Sequence, residues 1–369
     1  MNKGPNTSIR IETERPFYYP GDTVNGHLLL NFEGSDFPGN HLLLKIKGKE
    51  ETSWEVPNPN NPAVPDHKHG LIIFYNHKIN VYTWSEGHVP AGQYDFPFSF
   101  ILKDFLPGSY THHQDQRDRN TNTKALIKYK LKTECLAFDV EREMSKIKYT
   151  KELLVREKLK VNVVSKGEIT LPLSTMCCIP QGNCRIRVYF EKNAYESGEE
   201  ASIFCEIDNS GGSQALERLL FELKNKVLLR SDDGTNKEYT KTIFRTEEHG
   251  LAANQKAEGL GKKTIKLTLN TKDRNEEFKS NEEDEALQLQ ESSSGQLVNS
   301  NYLLEVSAKG SGFMSCKSEE KTLIPVTVYK KAKEAKKMDG NWNPKVMEVK
   351  AVVIGETDFY RRGNKKNNK

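Results

Sequence analysis

Apolar and polar residues alternate with a period of two along most of the chain. Between residues 94 and 102 every even position is apolar, and between residues 125 and 135 Ile127, Tyr129 and Leu131 alternate with lysines. This alternation is typical of strands that bury one face and expose the other. The same pattern recurs at 186–190, 203–207, 265–269, 302–306 and 324–328. It predicts an all-β chain of antiparallel sandwiches.

A short motif occurs twice, once near the start of each half. Its residues are Ile9, Arg10, Ile11, Tyr18, Gly21 and Asp22 in the first copy and Ile186, Arg187, Val188, Tyr195, Gly198 and Glu199 in the second. From Ile9 to Ile186 the offset is 177 residues, and the other five pairs share it. The apolar register continues, with Leu28 matching Cys205 and Leu30 matching Ile207. A repeated strand, corner and strand indicates two tandem copies of one β domain.

The pattern divides the chain into a first domain at 8–168, a second at 177–330 and a basic, flexible tail at 331–369. The junction is expected at 166–176. Prolines at 57–65 and polar residues at 112–123 predict loops, while 137–156 fits either a charged helix or strands. The insert at 273–299 begins with eight acidic residues against Arg274 and Lys279 and runs into serines, which predicts disorder.

Composition narrows the class of protein. The 369 residues allow two domains of ordinary size, and 36% of them are hydrophobic and 29% charged. A net charge of +4 argues against a nucleic-acid partner. Residues 1–8 are polar, and no stretch approaches the ~18 apolar residues of a membrane span. We therefore expect a cytoplasmic protein.

The sequence offers no catalytic residue and no cofactor. Zincin, nucleophile-elbow and phosphate-loop motifs are all missing. Cys177 and Cys178 are adjacent but lack the second cysteine pair of a structural zinc site. His67, His69 and His77 could form a metal site, although a solvated loop is the favoured interpretation. The prediction is a chain that is not an enzyme and holds no metal.

One candidate binding surface stands out. Lys128, Lys130 and Lys132 alternate along one predicted strand, so their ammonium groups share a face about 7 Å apart. That spacing is shorter than the Debye length of about 8 Å at physiological salt, so their potentials add. The segment 330–369 carries twelve basic residues against five acidic ones, a net +7. These lysines are a candidate contact for acidic cargo segments or anionic lipid; the alternative is a face that only maintains solubility.

At this point the chain resembles a known family. Residues 17–26, which read FYYPGDTVNG, resemble the first-domain corner of arrestins, especially the α-arrestin (arrestin-domain-containing) group. Residues 90–98, 106–109 and 127–131 are similar to the elements that follow that corner. In the second half the similar segments are 177–182, 195–199, 206–209, 302–306 and 324–326. The resemblance covers residues from about 8 to 330.

The resemblance implies two tandem arrestin-like antiparallel β-sandwich (immunoglobulin-like) domains in a non-enzymatic adaptor. Such a scaffold binds the cytoplasmic tails of membrane proteins and links them to endocytosis, sorting and ubiquitination, in the cytoplasm or peripherally at the plasma membrane or endosomes. Two alternatives stay open. One is a retromer-type coat subunit, and the other is a ligand-binding or adhesion sandwich, which the unpaired cysteines disfavour.

The chain departs from the family in two features. Visual and β-arrestins sense receptor phosphate through paired lysines on the first strand and an arginine–aspartate pair near the corner. Here the first strand has only Arg10, and the corner reads Pro16-Phe17. Many α-arrestins recruit a ubiquitin ligase through Pro-Pro-x-Tyr motifs, and no Pro-Pro pair occurs in this sequence. A phosphate-triggered switch of that kind and direct recruitment of a ligase are therefore not expected.

Overall fold

The computed structural model describes residues 7–32, 36–37, 39–61, 63–112, 122–136, 146–159, 165–175, 179–270, 288–311, 319–332, 343–349, 352–356 and 360–361. The first eight strands are β1 (Thr7–Thr13), β2 (Thr23–Phe32), β3 (His41–Val56), β4 (Asp66–Thr83), β5 (Gly92–Ile101), β6 (Tyr110–Thr111), β7 (Lys124–Leu136) and β8 (Lys146–Leu153). The next eleven are β9 (Lys166–Thr175), β10 (Ile179–Phe190), β11 (Ala194–Glu196), β12 (Glu200–Asp208), β13 (Leu216–Arg230), β14 (Asn236–Leu251), β15 (Lys256–Ala257), β16 (Lys263–Thr268), β17 (Ser293–Ser294), β18 (Val298–Gly310) and β19 (Glu319–Tyr329). The tail adds β20 (Lys345–Val346), β21 (Val352–Glu356) and β22 (Tyr360–Arg361), and a 3₁₀ turn spans Gly259–Gly261.

The strands build two sandwiches in tandem, as the sequence predicts. In the first, the sheet β1-β2-β5-β20 packs on the sheet β21-β4-β3-β7-β6, with β8 paired to β7 and β22 to β4. In the second, the sheet β15-β12-β10-β9 packs on β11-β19-β18-β13-β14, with β16 on β12 and β17 on β18. Only β11–β19 and β20–β5 are parallel among these pairs of described strands. The prediction of an all-β antiparallel fold is confirmed.

Period-two alternation places the core residues as predicted. On β5 the side chains of Tyr94, Phe96 and Phe98 are buried, and on β7 Ile127 and Tyr129 are buried. Each sandwich has one continuous apolar cluster. The predicted strand segments at 186–190, 203–207, 302–306 and 324–328 lie within β10, β12, β18 and β19.

The first corner is a closed hydrogen-bonded turn around a buried tyrosine. Tyr18 is fully buried, and its hydroxyl accepts a hydrogen bond from the backbone N–H of Arg15 (3.1 Å). The Asp22 carboxylate accepts one from the N–H of Tyr19 (3.0 Å). Gly21 has φ of +87°, a left-handed conformation that a side chain disfavours. The tyrosine, the glycine and the aspartate of the motif therefore each have a structural role.

The second corner repeats these contacts atom for atom. The Tyr195 hydroxyl accepts from the N–H of Lys192 (3.0 Å), and the Glu199 carboxylate accepts from the N–H of Glu196 (3.0 Å). Gly198 has φ of +91°. Glu199, although longer by one methylene, accepts the same hydrogen bond as Asp22 of the first copy. The repeat read from the sequence is thus a repeat of hydrogen bonds.

Strand β9 shifts the division between the sandwiches. The alternation pattern predicts a junction at residues 166–176, but β9 pairs antiparallel with β10 from Lys166 to Thr175. Its apolar residues Ile169, Leu171 and Leu173 are buried in the second core. The second sandwich therefore begins by Lys166. The ambiguous segment at 137–156 contains strand β8, and its residues 137–145 lie outside the described part.

The expectation of disorder at 273–299 is wrong for residues 288–299. Residues 288–298, which we name the strap, lie in the groove between the sandwiches, whereas 273–287 lie outside the described residues. The Ser293 hydroxyl donates to the carbonyl of Gly108 (2.7 Å), and the Tyr110 hydroxyl donates to the Gln290 side chain (2.9 Å). Composition could not reveal this order, because the hydrogen-bond partners of the strap belong to the other domain.

Residues 343–349 of the segment predicted to be a flexible tail lie along the first sandwich. Strand β20 adds parallel to β5, and the N–H of Met347 donates to the carbonyl of Asp95 (2.9 Å). The side chains of Met347 and Val349 pack against the first core. Strands β21 and β22 pair with β4.

One end of the groove between the sandwiches is closed by a buried carboxylate. Glu50 of β3 is 1% exposed, and it accepts hydrogen bonds from three consecutive N–H groups, those of Gln296 (3.1 Å), Leu297 (2.8 Å) and Val298 (2.5 Å). A Cβ on Gly295 would lie 2.1 Å from a Glu50 oxygen, so only glycine fits there. Glu50 thus fixes the strap to the first sandwich.

The other end of the groove is closed by a buried arginine. Arg156 is 6% exposed, and its guanidinium stacks 3.6 Å from the ring centroid of Phe17 in the first corner. It donates to the Glu196 carboxylate of the second corner (2.5 Å) and to the carbonyl of Lys330 (3.1 Å). Arg156 therefore joins the two copies of the repeated corner.

Glu50 makes the stability of the protein depend on pH. Burial raises the pKa of Glu50 from 4.5 to about 6, although the three strap N–H groups and the charge of Arg230 oppose the shift. A raised pKa means that the folded state holds the proton more tightly than the unfolded state, so the stabilisation is present at low pH and lost as pH rises through about 6.

We expect the free energy of unfolding to fall by up to about 2 kcal/mol between pH 4.5 and pH 7 on account of Glu50 alone. Denaturant titrations of the wild type and of Glu50→Gln across this range measure the effect as the difference between the two pH profiles. Contributions from the rest of the protein are common to both variants and cancel in that difference. Two parallel profiles would contradict the assignment.

Removal of the Arg156 guanidinium should destabilise the protein measurably. Breaking a fully buried pair costs 3–5 kcal/mol, but Glu196 is 40% exposed, so we expect Arg156→Met to lower the free energy of unfolding by about 2 kcal/mol. The control is Arg185→Met, since Arg185 pairs with Glu168 on the surface and should contribute less than about 0.5 kcal/mol. Equal losses in the two variants would refute a special role for Arg156.

Candidate functional site: a lysine face on the first sandwich

Strands β3 and β7 carry lysines in matching positions on one side of their sheet. The pairs directly opposite each other are Lys45 with Lys132, Lys47 with Lys130 and Lys49 with Lys128. We name these six residues the lysine face. Like charges directly opposite each other on neighbouring strands are destabilising, so this arrangement of lysines costs the fold some stability.

The alternation of the strands explains how the lysines come to share a face. The residues between them, including Ile46 and Gly48 on β3 and Tyr129 and Leu131 on β7, are buried in the core. Gly48 is required because a Cβ there would lie 2.6 Å from the ring of Phe74. Core packing therefore holds every lysine of the face outward.

Acidic side chains neutralise the two ends of the face. Glu134 pairs with Lys45 and with Lys132 (2.7 Å to the latter). Burial acts to raise the pKa of Glu134, but hydrogen bonds from Lys132 and Lys45 outweigh it and hold the pKa below its ordinary value. Glu134 thus stays ionised.

At the other end Glu51 pairs with Lys49 and with Lys124 (2.7 Å to the latter). Burial opposes the shift, but the hydrogen bonds from Lys124 and Lys49 lower the pKa of Glu51 to about 2. The charges at both ends of the face are therefore compensated.

The central pair keeps its charge. Lys47 and Lys130 are exposed and form no ion pair with any residue that the structure describes. Glu152 of β8 lies opposite Lys130 in register, yet its carboxylate approaches Lys128 (3.7 Å). An uncompensated pair of ammonium groups side by side can bind an anionic group in a bidentate manner.

Sequence reasoning found half of this face. It selected Lys128, Lys130 and Lys132, and the structure places all three on one face of β7. It missed the lysines of β3, although residues 45–49 read Lys-Ile-Lys-Gly-Lys and carry the same alternation. The missing information was the register, because only pairing shows that the two stretches lie side by side.

The histidines singled out in the sequence do not converge. His67 lies 3.5 Å from Glu55, His69 lies 4.0 Å from Asp232, and His77 stacks on Tyr75. Within the described ranges no group of three or more histidine, cysteine or acidic side chains is arranged to hold a metal ion. Cys135, Cys184 and Cys205 are buried free thiols, and burial raises the pKa of each.

At the first corner, the position of the family's phosphate sensor, the contacts in the structure differ from those expected from the sequence. Arg15 of the first corner pairs with Asp22 (3.1 Å), and the structure also brings Arg156 onto Phe17 and pairs it with Glu196. No local pattern marks Arg156, since it reaches the corner from a distant part of the chain. Two arginine–carboxylate pairs therefore exist at this corner, so the expectation from Pro16-Phe17 that it lacks an arginine–aspartate pair is wrong.

Two family models match this chain. Residues 7–162 match the arrestin (or S-antigen) N-terminal domain, and residues 180–332 match the arrestin (or S-antigen) C-terminal domain. A curated relative, arrestin domain-containing protein A of Dictyostelium discoideum, is 28% identical over 205 residues, which is 52% of this chain and 33% of the relative. The chain thus spans about a third of the length of the relative it matches.

Two arrestin-type sandwiches in this order define an arrestin-like protein. The chain belongs to the arrestin family, and its similarity to an arrestin domain-containing protein makes it α-arrestin-like. Members of this family are generally adaptors without enzymatic activity. In the part of the chain that the structure describes, no helix has the length and apolar character needed to cross a membrane.

Proposed function

We propose that this protein is a non-enzymatic cytoplasmic adaptor that binds the cytoplasmic tails of membrane proteins and links them to endocytosis and sorting. Membership of the arrestin family supports the adaptor role. The observation that carries the choice of binding surface is the central pair of the lysine face, Lys47 and Lys130, which has no acidic partner among the described residues.

The chemistry of the face selects an acidic ligand. Each uncompensated lysine adds about 1 kcal/mol of attraction to a nearby anionic group, so the central pair contributes only a few kcal/mol even with help from its neighbours. Binding should therefore be weak and salt-dependent, as suits an adaptor that exchanges cargo. Glu134 and Glu51 restrict the attraction to the centre of the face, which favours a narrow, extended acidic segment over a broad anionic surface.

The test uses an acidic peptide and two matched variants of the full chain. Lys47→Gln/Lys130→Gln removes the central pair, and the control Lys166→Gln/Lys226→Gln removes two exposed lysines of the second sandwich with the same change in charge. We expect the first variant to bind a fluorescent glutamate-rich peptide about tenfold more weakly, and the control to bind as the wild type does.

Salt provides the second readout of this experiment. The wild-type affinity should fall steeply as ionic strength rises, because screening removes the attraction between exposed charges. A steep salt dependence in the wild type and a shallow one in Lys47→Gln/Lys130→Gln would support the assignment. If both double variants lose affinity equally, only net charge matters and the lysine face is not the site.

Recruitment of a ubiquitin ligase is the least supported part of the adaptor role. The sequence contains no Pro-Pro pair and hence no Pro-Pro-x-Tyr motif. Because WW domains recognise a preformed polyproline helix, we expect an isolated WW domain not to bind this chain with micromolar affinity. Isothermal titration measures this directly, with a Pro-Pro-x-Tyr peptide as the positive control. Saturable binding of the chain would reveal a motif of another kind.

A further inference from the structure

The turn that follows β5 displays two large apolar side chains to water. Phe105 is 99% exposed and Ile101 is 66% exposed. No other phenylalanine among the described residues reaches this exposure. Burial of a phenylalanine side chain is favourable by about 1.5–3 kcal/mol, so a fully exposed one is a feature that needs an explanation.

The backbone of this turn is held firmly in place. Leu102 and Leu106, on either side of the tip, are 1% and 7% exposed and anchor the turn in the first core. The N–H of Leu102 donates to the carbonyl of Asp22 (3.0 Å), and the Tyr129 hydroxyl donates to the carbonyl of Pro107 (2.6 Å). The backbone on both sides of Phe105 is therefore held in place, and the turn presents the phenylalanine ring to water.

Basic side chains flank the apolar tip. The Lys103 ammonium lies 5.6 Å from the ring centroid of Tyr75, and the Lys158 ammonium lies 3.5 Å from the carbonyl of Pro20. Asp104 is the acid of the turn, and its carboxylate points toward Gly21, where a Cβ would lie 2.5 Å from Asp104 and 3.8 Å from the Lys158 ammonium. Residues 101–106 thus contain one cation and one anion, and the Lys158 ammonium adds a second positive charge near Asp104.

The apolar area of the tip distinguishes between a protein partner and a lipid bilayer. A stable protein interface buries about 800 Å² on each side, whereas a phenylalanine offers about 200 Å² and the two side chains together on the order of 300 Å². A lipid interface needs much less, since a few apolar side chains with adjacent basic groups suffice for reversible attachment. The turn therefore fits the surface of a bilayer better than the surface of a protein.

We propose that the turn at 101–106 is a membrane-contact site that inserts Phe105, with Ile101 beside it, into the headgroup region of an anionic phospholipid bilayer, while Lys103 and Lys158 contact lipid phosphates. The inference rests on the proposed function, because an adaptor for membrane-protein tails works at a bilayer. It uses a surface distinct from the lysine face, so the two can be tested separately.

The test measures binding of the full chain to vesicles of phosphatidylcholine and phosphatidylserine by co-sedimentation. Phe105→Asp should lower the partition coefficient about tenfold or more, because a charge replaces the inserted ring. The matched control is Leu260→Asp, since Leu260 is a fully exposed apolar residue of a turn in the second sandwich. This control should bind as the wild type does.

Fluorescence distinguishes insertion from a loss of binding through misfolding. The chain has three tryptophans, Trp54, Trp84 and Trp342, so the difference in emission between Phe105→Trp and the wild type reports the environment of the turn. Its emission should shift to the blue on addition of vesicles and be quenched by lipids brominated on the acyl chain, beyond any change in the wild type. Absence of both changes would overturn the inference.

Three further outcomes would also overturn it. These are wild-type protein that fails to bind vesicles, Phe105→Asp protein that binds as the wild type does, and Leu260→Asp protein that loses binding to the same extent. None of these outcomes contradicts the proposed function, which is tested by binding of the acidic peptide to Lys47 and Lys130. Conversely, loss of peptide binding alone leaves the membrane contact in place.

Discussion

The carboxylate of Glu50 is buried and accepts hydrogen bonds from three backbone N–H groups of the opposite domain. Taking a charge out of water is unfavourable, and the strap offsets part of this by donating three consecutive N–H groups to the carboxylate. The two groups need each other, because either one alone would be a buried polar group without a partner. This reciprocal requirement fixes residues 295–298, and with them the start of β18, against the first sandwich.

The rest of the domain junction is built around that constraint. With the strap in place, Leu297 and Val298 join Val227 and Leu229 in the apolar core of the first sandwich, so this core crosses the domain boundary. At the far end Arg156 connects the corners of both copies of the repeat through Phe17 and Glu196. The duplicated motif therefore does more than turn the chain, since its two copies meet at the junction.

The same strand serves the junction and the lysine face. On β3 Glu50 points inward to the strap, whereas Lys49 and Glu51 on either side point outward, because successive residues of a strand face opposite ways. A rigid β3 thus presents its lysines opposite those of β7 at a fixed spacing. Strands β3 and β7 bury alternate residues in the core and so keep Lys47 and Lys130 exposed. The turn after β5 buries Leu102 and Leu106 in the same way and keeps Phe105 exposed.

The sequence by itself determined the class of fold, the duplication and the corners, since period-two alternation and the spacing of Tyr18, Gly21 and Asp22 are local properties that one stretch of chain displays. It also placed three lysines on one face. Only the tertiary structure decided that β3 supplies three more, that Arg156 reaches Phe17, and that the end of an acidic, serine-containing insert is ordered. Strand register and hydrogen bonds between segments some 250 residues apart cannot be predicted from either segment alone. Each segment's conformation becomes favourable only when its partner segment is present.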